Sequence, residues 1–262
     1  NNSVNIMTGG KENTITNENL SLIVGEKINS QTGNANIIGG KDIVSATTTT
    51  SIIVGDSHDI SGSTNVTITG NTNTINTCQG SLVTGFTNND TNGVNNIISG
   101  KNHNVNGSEN TNISGIGNII VTSIASLVSG QTNKETTSNR NAIFGKSNVI
   151  LNTDNSIITG NIVESTGIKN SFVAGKTITN ETGNENIILG NTLIVKDSDY
   201  SIVTGISNEV LNNRASAIFG ENHKVDLNSK RNLIGGLNHN NSNGEQTTIL
   251  GNQNIAKDTS NV

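Results

Sequence analysis

A glycine stands at every fifteenth residue from Gly25 to Gly220, and each closes a polar–apolar–aliphatic–variable–glycine phrase such as Ser201-Ile202-Val203-Thr204-Gly205. Gly9, Gly236 and Gly251 continue the series, with one extra residue before Gly25 and one before Gly236. A repeat this strict makes each phrase one coil that can bury its apolar face only by stacking on its neighbours. The sequence therefore predicts an all-β parallel solenoid with about 15 residues per coil, a single repeat domain of about 17 coils over 1–262.

Composition excludes an ordinary globular core: aromatics are 2%, Trp and Pro are absent, and the net charge is -5. Low hydrophobicity of this kind usually means disorder. Here the apolar residues keep a fixed period, and that reading fails. The 15 Lys and Arg are spread along the chain rather than gathered into a stripe, which argues against nucleic acid as a partner. Cys78 stands alone, so internal disulfides and cysteine-zinc clusters are ruled out. With no leader-like segment, no apolar run of membrane length and no polar cap at Asn1 or Val262, the chain is expected to be a piece of a longer repeat protein.

Positions are counted below from the phrase glycine. At −2 stand Met7, Ile23, Ile38, Ile53, Ile68, Val83, Ile98, Ile113, Val128, Ile143, Ile158, Val173, Ile188, Val203, Ile218, Ile234 and Ile249. β-Branched residues suit a strand, and this uniform column is assigned to the coil interior. Positions −3 and −1 alternate onto the opposite face. Their volumes compensate, as in Ala142 with Phe144 and Phe172 with Ala174. A strand apolar on both faces is buried on both. A solenoid has one interior, so the second face needs a cover, and another copy of the chain is the economical one. Leu22, Ile52, Leu82, Leu127, Phe144, Phe172, Ile202 and Phe219 are the candidates for that subunit face.

A second strand follows each glycine. Position +3 is always Asn, His or a branched aliphatic, and all four histidines fall there. His58, Asn73, Asn88, His103, Asn118, Asn133, Asn148, Asn208, His223 and His239 are assigned to a stacked ladder of side-chain hydrogen bonds. Where +3 is polar, +5 is mostly aliphatic, and the reverse, as if one apolar side chain closes each second strand. His223 and His239 lie on successive coils and can meet, but a zinc site needs further ligands. No metal or other cofactor is expected. Titration of the histidines is expected to tune stability near pH 6.

No nucleophile–base pair or recurring acid pair appears, so an enzyme is not expected. Position +1 is mostly Lys, Glu, Asp, Asn or Gln, but Phe86, Ile116, Ile206 and Leu237 break that rule. As exposed apolar side chains they are the receptor-binding candidates.

The phrases Ser-Ala-Ile-Phe-Gly at 216–220, Asn-Ala-Ile-Phe-Gly at 141–145 and Ser-Leu-Val-Thr-Gly at 81–85 resemble the Ser-Val-Ala-Ile-Gly head repeats of trimeric autotransporter adhesins, the YadA-like family. The resemblance covers essentially the whole chain. It implies a left-handed parallel β-roll, a homotrimer, and an exposed head on the outer membrane of a Gram-negative bacterium. Membrane attachment would then run only through a stalk and anchor outside these residues. The implied partner is a host matrix protein or cell-surface glycoprotein, a CEACAM-type receptor among them. This chain departs from the pattern in its strict fifteen-residue coil and in the Ile or Val that replaces the family's central Ala. The alternative is a structural spacer or phage-fibre segment with no receptor site of its own.

Overall fold

The computed structural model describes residues 7–11, 14–30, 32–57, 59–226 and 230–258. It is all-β, with no helix among these residues, and falls into two compact units, 1–132 and 133–262. Each unit is a parallel β-solenoid. In the first, phrase strands begin with Met7–Lys11 and Leu22–Glu26 and continue to Leu127–Gln131. In the second they begin with Ala142–Lys146 and end with Thr248–Asn252. Every phrase strand pairs with the phrase strand of the next coil in its unit, glycine against glycine, as Gly70 with Gly85 and Gly190 with Gly205.

The first coil corrects the register read from the sequence. Gly10, not Gly9, pairs with Gly25, and Met7 pairs with Leu22. Met7 is therefore on the outer face and is 70% exposed, while Thr8 aligns with Ile23. Two adjacent glycines hid a spacing of fifteen. At the other end Gly220 does pair with Gly236 across sixteen residues.

Each coil has three short sides rather than the two strands and a turn expected from the sequence. The phrase strand is one side, a strand of two or three residues such as Asn104–Asn106 is the second, and a single bridge such as Val94 with Glu109 marks the third. Corners fall at +2, +7 and −5, where the chain turns through the left-handed region. Asn102 (φ 58), Gly107 (φ 61) and Asn110 (φ 53) are the corners that follow Gly100. Asn and Gly accept that conformation readily. Leucine, threonine, alanine and arginine also occupy corners of the third side, for example Leu20, Thr77, Ala125 and Arg140. That is why the third side carried no clear turn signal.

The phrase glycine is required twice over. Gly205 has φ 126, and a Cβ on it would lie 1.7 Å from the carbonyl oxygen of Gly220. Neither the conformation nor the spacing admits a side chain.

Five positions per coil point inward: −7, −4, −2, +3 and +5. The −2 column from Ile23 to Ile218 lies inside, each member essentially inaccessible to solvent. The −4 column, the first residue of the phrase, is inside as well, and every member described except Val66 is Ser, Thr or Asn. A core this polar needs its hydrogen bonds met internally, and the repeat supplies them. Asn96 Oδ1 accepts from the Thr111 amide at 3.0 Å, and its Nδ2 donates to the Ser108 carbonyl at 2.9 Å. One residue thus bonds to the backbone of the next coil through both ends.

Candidate functional site: the outer face of the phrase sheet

Because side chains alternate along the phrase strand, −3, −1 and +1 share its outward face. Leu22, Ile52, Leu82 and Leu127 lie there in the first unit; Phe144, Phe172, Ile202 and Phe219 lie there in the second. All eight are exposed, at 37 to 43%. Phe86 and Ile116 in the first unit and Ile206 and Leu237 in the second are on the same face at the end of the strand, also exposed. The two sets of candidates, read from the sequence as separate surfaces, are therefore one surface with a row of positions along its margin. Phe86 is partly capped by its neighbour: the Lys101 ammonium lies 5.4 Å from the ring centroid, a cation–π contact.

The −3 row is apolar over much of each unit, with Leu22, Ile37, Ile52, Leu82, Ile97 and Leu127 in the first and Ile157, Phe172, Ile187, Ile202 and Leu233 in the second. The −1 row differs. In the first unit it starts with Val24 and Val54 and then turns polar through Thr69, Thr84, Ser99, Ser114 and Ser129, whereas in the second Phe144, Leu189, Phe219 and Leu250 are interspersed with Thr159, Ala174 and Thr204. Among the described residues these rows stay open to solvent, and an apolar face of this extent marks an interaction surface.

Inside the coil, the +3 ladder is built rung by rung. His58 lies outside the described residues; the other ladder candidates are buried. Asn88 accepts on Oδ1 from the His103 amide at 3.1 Å and donates from Nδ2 to the Thr84 and Gly100 carbonyls at 2.9 and 3.2 Å. Asn73, Asn118, Asn148 and Asn208 donate in the same pattern, and Asn133 donates to the Gly145 carbonyl at 3.1 Å. His103 imitates asparagine: its Nδ1 accepts from the Asn118 amide at 3.2 Å, while Nε2 lies 3.0 Å from the Ser99 carbonyl. His223 and His239 repeat this, with Nδ1 accepting from the amides of His239 and Asn254. Their rings stack at 5.0 Å and 3°. An amide at Nδ1 and a carbonyl at Nε2 demand the neutral Nε2–H tautomer. Nδ1 then has no lone pair left for a metal. Burial lowers the His103 pKa, and burial together with the neighbouring His239 lowers that of His223.

Sequence reasoning missed the buried acids. Asp90 and Glu135 at +5 and Glu18 at −7 are inside the coil. Asn96 Nδ2 reaches Asp90 Oδ1 at 3.3 Å, Asn141 Nδ2 reaches Glu135 at 3.0 Å, and Ser21 Oγ donates to Glu18 at 2.7 Å. The signal was available at Gly93, since a Cβ there would lie 2.2 Å from Asp90 Oδ1. An acid three residues before a glycine at −7 fills the space that glycine leaves. Burial raises the Asp90 pKa, and burial plus the Asp90 charge pushes the Cys78 thiol up to about 12. Cys78 is thereby an inert core thiol.

No known family matches the sequence, and no curated protein does. Among solved structures, the chain has 10% identity and a TM-score of 0.13 to a proposed acetyltransferase from Desulfovibrio desulfuricans G20, over 93% of this chain and 65% of that one. The chain thus spans just under two thirds of that protein's length, and a likeness so slight bears on neither fold nor activity.

Proposed function

We propose that this chain is the head repeat of a trimeric bacterial surface adhesin. The observation that supports it most is the apolar outer face of the phrase strands, which one chain leaves in solvent in both units. Three copies meeting through that face would bury it, leaving the polar corners and the other two sides of each coil outward. The left-handed turn, the homotrimer and the outer-membrane location of a Gram-negative cell come with the resemblance of the phrases to YadA-like head repeats. Adhesion would then act by display: many weak contacts on three identical chains give avidity to a host matrix protein or cell-surface glycoprotein.

Sedimentation equilibrium tests the assembly directly. A trimer whose mass falls on Phe172→Asp and Phe219→Asp substitution supports the reading, and a monodisperse monomer overturns it. Host-cell binding by the purified trimer then separates an adhesin from a spacer, because a spacer would assemble but not bind.

A further inference from the structure

Repetition leaves the phrase sheet with a difficulty. In the first unit its −3 row advances by one strand spacing per coil, about 4.8 Å. Leu22, Ile37, Ile52, Leu82, Ile97 and Leu127 stand there with nearly equal size and 38 to 46% exposure. Two such rows pressed together can slide by a whole coil and exchange Leu for Ile at little cost. Apolar contact alone therefore sets no register between copies.

Two coils interrupt the row. Thr67 and Thr69 take the −3 and −1 positions in one, and Asn112 and Ser114 take them three coils later. Asn112 is the sharper mark. It is exposed, and the ladder sets it between Ile97 and Leu127. Ser114 Oγ already donates to Ser129 Oγ at 3.0 Å. The Asn112 amide has no hydrogen-bond partner among the described residues. In water it needs none, but on a covered face an unpaired amide costs far more than a mismatched methylene.

A second copy of the chain is the partner that removes this cost. It carries the same two interruptions at the same spacing, so setting Asn112 on its counterpart also sets Thr67 on Thr67 and each apolar −3 residue on its like. A carboxamide donates and accepts at once, and facing amides satisfy one another. Area is sufficient as well. With the five apolar −3 side chains of the second unit, the row presents on the order of 800 Å², what one partner contributes to a stable interface. We propose that Asn112 is the register key of the homomeric assembly: parallel copies meet with Asn112 against Asn112, and a shift of one coil is rejected because it sets the amide against Ile97 or Leu127. The inference rests on the reading of the phrase face as a subunit interface and adds to it the alignment of the copies. A lone buried asparagine fixes the register of paired helices in the same way, at some loss of stability. A sheet whose repeat makes slippage easy needs such a mark more.

Cysteine cross-linking of the full chain reads the alignment. Native Cys78 is buried and does not compete. Asn112→Cys should form an intermolecular disulfide under mild oxidation. Chains carrying Leu82→Cys and chains carrying Ile97→Cys, assembled together, should each link to their own kind. Adding Asn112→Leu to both should raise the unlike product about tenfold, the weight of one unpaired amide, while the melting temperature holds or rises. A dominant unlike product with Asn112 in place would mean slipped or antiparallel copies, since the antiparallel arrangement sets Leu82 on Ile97 and Asn112 on Thr67. An unlike fraction unmoved by Asn112→Leu would leave the register to other residues. Either result overturns the proposal. A monomer by sedimentation would sink the interface together with its key, whereas an oligomer with the wrong cross-links sinks the key alone.

Discussion

Positions +3 and +5 lie two residues apart on the same short side, both point inward, and the sequence trades polarity between them. The trade is not symmetrical. A polar side chain at +3 becomes a rung: Asn88 makes three hydrogen bonds, two of them to the next coil. At +5 the outcome depends on what stands nearby. Ser45 finds the Thr48 hydroxyl at 2.8 Å, but Ser165 Oγ and both amide atoms of Asn180 are buried with no hydrogen-bond partner among the described residues. The backbone records the same difference. Where Val163 and Ile178 replace the rung, the phrase strand runs on without a break to Thr166 and Asn180. The preceding glycines open to φ 156 and 148, against 108 to 127 before Asn73, Asn88, Asn118, Asn133 and Asn148. Gly40, at φ 126 before Ile43, is the exception. Position, rather than polarity, decides whether an amide inside this solenoid stabilises it.

The largest expected effect breaks a rung. Asn88→Ala strips partners from the His103 amide and from the Thr84 and Gly100 carbonyls, and should cost about 3 kcal/mol in chemical denaturation. A loss below about 1 kcal/mol would mean the ladder is decoration. Next, Asp90→Val gives +5 the aliphatic character of Ile75 and Val105 on either side, and should stabilise by about 1–2 kcal/mol at pH 7. Because the folded Asp90 pKa is raised, its cost is absent below the unfolded carboxylate range and grows as pH rises through the folded value. The gain from Asp90→Val should therefore shrink in acid, and a pH-independent gain would place the acid outside the core. Asn180→Val removes two orphaned atoms and should stabilise by about 1 kcal/mol; a loss of stability would show that they have a partner.

The smallest effect is in the histidines, and its sign is opposite to that of Asp90. The folded values of His103 and His223 lie below the ordinary 6.5, so the stability these two contribute is fully present above that pH and is lost as pH falls through the folded value. Replacing His103 and His223 with Asn should leave the melting temperature at pH 7.5 nearly unchanged and raise it at pH 5. Equal shifts at both pH values would refute the neutral-tautomer rung.

Much of this comparison was open to reading in the sequence. The −2 column was legible because sixteen near-identical β-branched choices leave one interior, and the +3 ladder because Asn and His share a donor–acceptor pattern. The −4 and −7 columns were not, since serine and asparagine read as surface until the coil's own backbone is present to bond them. Nor was the third side, whose corners use Thr77, Ala125 and Arg140 as readily as Asn or Gly. On the outer face, strand alternation put the −3 and −1 positions opposite the −2 column, but the margin at Phe86 and Ile206 was taken for a separate patch. Strand alternation alone would have joined them.

Glycine paired with glycine at every coil makes length a free variable. Because each rung bonds only to the coil before and the coil after, removing fifteen residues from within a unit returns every side chain to an equivalent neighbour, whereas removing fourteen misplaces all that follow. At the level of the gene this is a cassette of forty-five nucleotides that can be gained or lost in frame, which would let a lineage change how far such a chain reaches without redesigning any part of it.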